Sequence, residues 1–280
     1  MRELAKNITR YALLECGSGY GVSAQILFSM AYKFDPSHLS AHNLGYFYLL
    51  QGKCYLITSK WLICGKVNYK RARCFLLKAH KMCPKCFETL CALGELNYRQ
   101  RKYSDSQKYF EMAIALNFSS GYAHWRKTSL LFLQKKYIDM LHYVSTLESQ
   151  FESFNDKSML FFLICAYAEY NVFDCIKSVT LSRITSYVDK MNPDKIDDYM
   201  IELLLDAIPI LFVSNKFKYV VKCSKLLKLD GRYSETIEHM IISSSQNGEN
   251  LVTPNEIKRE FADFPVTNRW YQSLYLQCAD

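Results

Sequence analysis

Apolar positions between Phe87 and Ser120 recur on a helical period. Leu90, Leu93, Leu96 and Asn97 stand at i, i+3, i+6 and i+7, while Tyr109, Phe110, Ala113, Ile114 and Leu116 line a second face. The spacing predicts two amphipathic helices. The polar run Arg101-Lys102-Tyr103-Ser104-Asp105 separates them, with Ser104 placed to cap the second helix through its hydroxyl. So short a break folds the two helices back as an antiparallel hairpin. Gly94, Ser106 and Ala113 are small where the helices approach, and Phe110 is bulky between the last two. Interdigitated helix packing uses that alternation.

The same set recurs along the chain. Ser106, Phe110, Ala113 and Phe118 have counterparts 34 residues earlier at Ala72, Leu76, Ala79 and Pro84, and Ala24, Phe28, Ala31 and Pro36 repeat the internal steps. Leu44-Gly45…Tyr48 and Leu93-Gly94…Asn97 supply a matching first helix, and Tyr69 and Tyr103 the tyrosine between helices. In these residues the chain resembles the tetratricopeptide repeat family, whose unit is a helix–turn–helix of 34 residues. The resemblance implies an all-α fold, a right-handed α-solenoid of antiparallel helix pairs. It places repeats at 5–38, 39–86, 87–120 and 121–154, and divergent helical repeats with capping helices over 155–280. The second repeat carries 15 extra residues, Lys53 to Val67, whose removal restores the step. Tyr55, Leu56, Ile57, Trp61, Leu62 and Ile63 make that insertion too apolar for a solvated loop. It either lengthens the hairpin or tucks against the array.

Beyond Ser120 the pattern erodes. Tyr137 keeps the tyrosine position, but Lys127-Thr128 replaces Leu-Gly and Met140 the small residue. Further pairs read as Leu160–Glu169 with Asp174–Val188 and Asp194–Val213 with Lys218–Leu229. Asn192-Pro193 and Ser214-Asn215 are breaks, and Pro209 kinks the long helix. Ser243–Gly248 reads as a linker. Thr253 then caps a helix opened by Pro254, and a last helix, Thr267–Cys278, offers Trp270, Tyr271, Leu274 and Tyr275 as a terminal cover.

Composition narrows the functional classes. Half of the 280 residues are hydrophobic and 15% are aromatic, enough to build a core rather than a disordered chain. Charges at Met1–Lys6 stand where a secretion signal needs its apolar run. The longest apolar stretch, Met159–Ala168, falls short of the roughly 20 residues a membrane span requires, so no membrane insertion is expected. Eleven cysteines are scattered without a compact framework, as free thiols in a reducing compartment would be, which points to the cytoplasm or nucleus. The net charge of +8 is uneven. Residues 53–108 hold thirteen Lys or Arg against three acids, which leaves the rest of the chain slightly acidic.

Candidate chemistry is sparse. The run Gly17-Ser18-Gly19-Tyr20-Gly21 reads as an inter-helix turn, since no Lys-Ser/Thr follows for a phosphate loop. His80, Cys83 and Cys86, with Cys91 nearby, are soft ligands at steps of three, but no second ligand pair accompanies them and Pro84 serves as the repeat's turn proline. No catalytic residue, metal or cofactor is assigned, and the six histidines are isolated. An enzyme is not expected.

In the family that the chain resembles, first helices line a groove that binds peptides. Its groove positions fall here on His42, Asn43 and Tyr46, on Glu88, Cys91, Glu95, Tyr98 and Arg99, and on Tyr122, Trp125, Arg126 and Ser129. Such a mixed aromatic and polar surface suits recognition of a protein segment. The expected function is therefore a non-catalytic scaffold or adaptor, or an assembly subunit, that binds another protein's peptide. The alternative uses the basic patch Lys70, Arg71, Arg73, Lys78 and Lys81, which could meet nucleic acid phosphates or an acidic protein segment.

Overall fold

Turn signals between the apolar runs divide the chain into helices. The computed structural model describes residues 1–17, 21–50, 68–148, 158–192, 196, 198–227, 235–245 and 252–262. Among these the regular structure is all helical: α1 (Arg2–Gly17), α2 (Gly21–Phe34), α3 (His38–Leu50), α4 (Tyr69–Met82), α5 (Phe87–Arg99), α6 (Tyr103–Leu116), α7 (Gly121–Leu133), α8 (Tyr137–Thr146), α9 (Ser158–Phe173), α10 (Ser178–Lys190), α11 (Asp198–Val213), α12 (Phe217–Leu226), α13 (Glu235–Ser245) and α14 (Pro254–Ala262). Two compact units result, one built from Met1–Ala123 and one beginning at His124.

Within the first unit the main contacts pair α1 with α2, α3 with α4 and α5 with α6. The pairs α3/α4 and α5/α6 run antiparallel: Tyr48 stacks on Phe75 near one end, while Gly94 faces Phe110 and Tyr98 lies 6.2 Å from Tyr103. The recurring small-large-small set behaves alike in all three copies, since Ala24, Phe28, Ala31, Ala72, Leu76, Ala79, Ser106, Phe110 and Ala113 are buried. Glycine at 94 is required by closeness. A Cβ there would lie 2.8 Å from the Phe110 ring, and Ser106 Oγ donates to the Gly94 carbonyl at 2.8 Å.

One turn joins three of the pairs. Lys102 N–H donates to Asn97 O and Arg101 N–H to Tyr98 O, both at 2.9 Å. Lys136 and Lys135 repeat the two bonds onto Leu131 and Phe132, and Lys216 and Asn215 onto Leu211 and Phe212. This is the Schellman closure, which needs a left-handed residue. Arg101, Lys135 and Asn215 supply it, with φ of 58°, 58° and 55°. The closure corrects the expected cap: α6 starts at Tyr103, and the Lys102 carbonyl, not the Ser104 hydroxyl, receives Ser106 N–H.

In the second unit α7/α8, α9/α10 and α11/α12 are again antiparallel hairpins, marked by Phe132–Tyr137 and His124–Tyr143, by Arg183 over the Phe162 ring, and by Phe212–Phe217. One hydrophobic cluster extends from Trp125 to Phe261. Helix α10 begins at Ser178 rather than Asp174, whose φ of 54° ends the preceding turn. Buried Glu169 fixes that start by accepting from Lys177 N and Thr180 Oγ1, both at 2.9 Å. Of the expected linker Ser243–Gly248, Ser243, Ser244 and Ser245 belong to α13; the hydroxyls of the last two bond back to Met240 and Ile241 carbonyls. Pro209 sits inside α11. The insertion Lys53–Val67, the linker from 246 on and the terminal helix Thr267–Cys278 with its aromatic cover lie outside the described residues. No described helix is long and apolar enough to cross a membrane.

Candidate functional site

Helix α3 is apolar on most faces, and such helices become buried, whereas α1 is amphipathic and keeps Arg2, Glu3, Arg10 and Tyr11 exposed. In α3 every residue from Ser40 to Leu49 is buried, as is every residue of α5 from Thr89 to Tyr98. The expected groove falls on these helices and on α7. Of its proposed residues, His42, Asn43, Tyr46, Cys91, Glu95, Tyr98, Tyr122, Trp125, Arg126 and Ser129 are buried, and only Glu88 and Arg99 are half-buried.

Several of these residues hold helices to each other. His42 stacks on Tyr46 and its Nδ1 lies 3.2 Å from Thr89 Oγ1, a bond between α3 and α5. The Glu95 carboxylate accepts from Arg99 Nε at 2.9 Å and from Tyr122 OH at 3.2 Å, while Arg99 Nη1 also donates to the Leu49 carbonyl. That network ties α3, α5 and the start of α7, so a charge removed from water is satisfied on several sides. Trp125 is fully buried and meets Phe161 edge-on at 5.6 Å.

The basic patch divides into two sets. Helix α4 carries Lys70, Arg71, Arg73, Lys78 and Lys81 and no acid. Arg71 lies over the Tyr48 ring and donates to its hydroxyl at 3.2 Å, and Lys78 lies over Phe75 and Tyr32. Both therefore contribute to packing through cation–π contact. All five are exposed, Arg71 and Lys78 beyond their ring contacts. Arg73 and His80, with Asn97, Asp105, Lys108 and Tyr109, line an outer cleft of about 400 Å³ between α4, α5 and α6. Among the thiols that follow His80, Cys86 accepts from Thr89 Oγ1 at 3.2 Å and faces Glu88 at 3.4 Å, and burial raises its pKa.

A contact that the sequence reading did not single out lies in the second unit. Helix α14 packs on α9 and α11, which also touch each other. Phe261 is 1% exposed; its ring centroid lies 4.0 Å from that of Tyr170 and 4.7 Å from that of Tyr167. Asn171 Nδ2 donates to the Phe261 carbonyl at 2.9 Å and to the Tyr167 carbonyl at 2.7 Å. Ile257, one turn earlier, packs against the same core, and Val252 is buried ahead of the helix. The opposite side shows Pro254, Asn255, Lys258 and Arg259 to solvent. Thr253 and Glu256 form the capping box at its start, with bonds of 2.7 Å from Thr253 N and Oγ1 to Glu256 Oε2 and 3.3 Å from Glu256 N to Thr253 Oγ1. Those bonds, the backbone one first, hold the Glu256 carboxyl below its ordinary pKa. The signal in the sequence was the pair Ile257 and Phe261, four apart in an otherwise polar run.

No protein-family model matches the chain, and a search of curated proteins finds no match.

Proposed function

We propose that the chain is a non-catalytic interaction scaffold, a right-handed tetratricopeptide-like α-solenoid whose first helices take up segments of other proteins. The observation that carries this reading is α14 on α9 and α11: a short helix held by an apolar side, an aromatic anchor and one side-chain bond to its backbone. Helix-in-groove recognition between proteins uses the same parts. The repeated closures at Arg101 and Lys135, 34 residues apart by number, and the glycine–bulky contacts at Gly45 with Leu76 and Gly94 with Phe110 support the repeat assignment.

Purification of the tagged full chain from its native cells tests the reading. After nuclease treatment and a high-salt wash, the scaffold reading expects a co-purifying protein in near-equal amount. Nucleic acid as the sole companion at low salt, lost at high salt, would overturn it in favour of a second reading. That alternative is favoured by one observation, the exposed Lys70, Arg73 and Lys81 on an acid-free α4, and phosphate contacts of this kind weaken steeply with salt.

A further inference from the structure

Helix α14 has the anatomy of a ligand more than of a core element. Its nine residues are too few to hold a helix alone in water, and among the described side chains its apolar contacts with the body come from Ile257 and Phe261, with Val252 buried just ahead of it. Its start is organised by its own Thr253–Glu256 box. The surface beneath it has supports that do not involve α14. Tyr167 OH reaches the Asp206 carbonyl at 3.4 Å, linking α9 to α11, and α11 packs further on α12 and α13. With α14 lifted, two tyrosine rings would frame an apolar slot, and Asn171 would keep one N–H on the Tyr167 carbonyl and present the other.

We propose that α9 and α11 form a helix-binding groove in which α14 is an exchangeable resident. The outside partner is a short amphipathic helix with an aliphatic residue one turn before an aromatic one. The inference rests on the scaffold reading and narrows its partner class. Phe261 selects the aromatic anchor because the slot offers ring faces on Tyr167 and Tyr170, where a further ring gains aromatic contact that an aliphatic side chain lacks. Ile257 selects an apolar residue four positions before, on the same helix side. Asn171 reads the backbone carbonyl at the anchor, so the helix must end near it, where carbonyls are not consumed by the next turn. Because resident and visitor compete, visible affinity is lowered by the fraction of chains whose groove is closed.

The test uses the full chain and a fluorescent peptide of residues 252–262. Saturable binding to the Phe261→Ala chain is expected, about tenfold weaker to the unaltered chain because α14 competes, and absent for a peptide itself carrying F261A. Absence of saturable binding to both chains, or equal binding of both peptides, overturns the proposal. Should the F261A chain lose its near-ultraviolet circular dichroism, hydrogen exchange on the unaltered chain decides. Amides of Ile257–Phe261 exchanging about a hundredfold faster than those of Leu163–Tyr167 support a detachable helix, and equal protection makes α14 core and overturns it. A partner protein that co-purifies while the peptide fails sinks this inference and spares the scaffold reading. Peptide exchange with no co-purifying protein does the reverse.

Discussion

At the residue scale the telling positions are Arg101, Lys135 and Asn215, which hold the left-handed conformation that closes their helices. In that conformation a Cβ crowds the backbone, at roughly 1–2 kcal/mol for an ordinary L-residue. Asparagine tolerates it better than arginine or lysine because its short polar side chain bonds locally. Lys135→Gly is therefore expected to stabilise the chain by about 1 kcal/mol, part of the relief being offset by glycine's larger freedom in the unfolded state. Asn215→Gly should gain less. Urea midpoints at an unchanged slope measure both, and a Lys135→Gly chain that is less stable than its parent would mean that the side chain contributes something beyond the turn.

At the element scale the hairpin α5/α6 depends on the fit of Gly94 to Phe110. Gly94→Ala should destabilise by about 1–3 kcal/mol, since a methyl at 2.8 Å forces the ring to move within a packed core. Phe110→Leu on its own leaves a void. The double variant should be less destabilised than the sum of the two, and denaturant titration of all four chains reads that coupling. Additive costs would place the strain elsewhere. This contact was legible in the sequence because both partners lie within one hairpin and recur at Gly45 and Leu76. The cap of α6 was not, because backbone bonds onto Asn97 and Tyr98 set it and no side chain advertises them. The surroundings of the expected groove residues were not legible. Whether Tyr98 or Glu95 meets solvent depends on what else in the fold reaches them, and periodicity within one helix carries no record of that. The Asn171–Phe261 contact, spanning 90 residues, is the same problem in the second unit.

At the scale of the whole molecule the cysteines report how each unit opens. Cys16, Cys86 and Cys91 are buried in the first unit, Cys165 and Cys223 in the second. Burial pushes the Cys16 thiol up to about 11 and that of Cys223 to about 12, and raises Cys165 strongly in the same direction. At neutral pH these sulfurs are both shielded and protonated, and a thiol reagent needs the thiolate. Cys74 and Cys175 are exposed and should label in the native chain. The buried thiols should label only on opening, so pulsed alkylation across a urea series, read by peptide mass, follows each unit by itself. Cys165 and Cys223 share one hydrophobic cluster and are expected to become reactive at a single midpoint. In the first unit contacts run mainly between sequential neighbours, where opening can begin at an end and spread. Cys16 on α1 should then label at lower urea than Cys91 on α5. Two separate midpoints for Cys165 and Cys223 would divide the second unit's core, and with it the α9/α11 platform on which α14 rests.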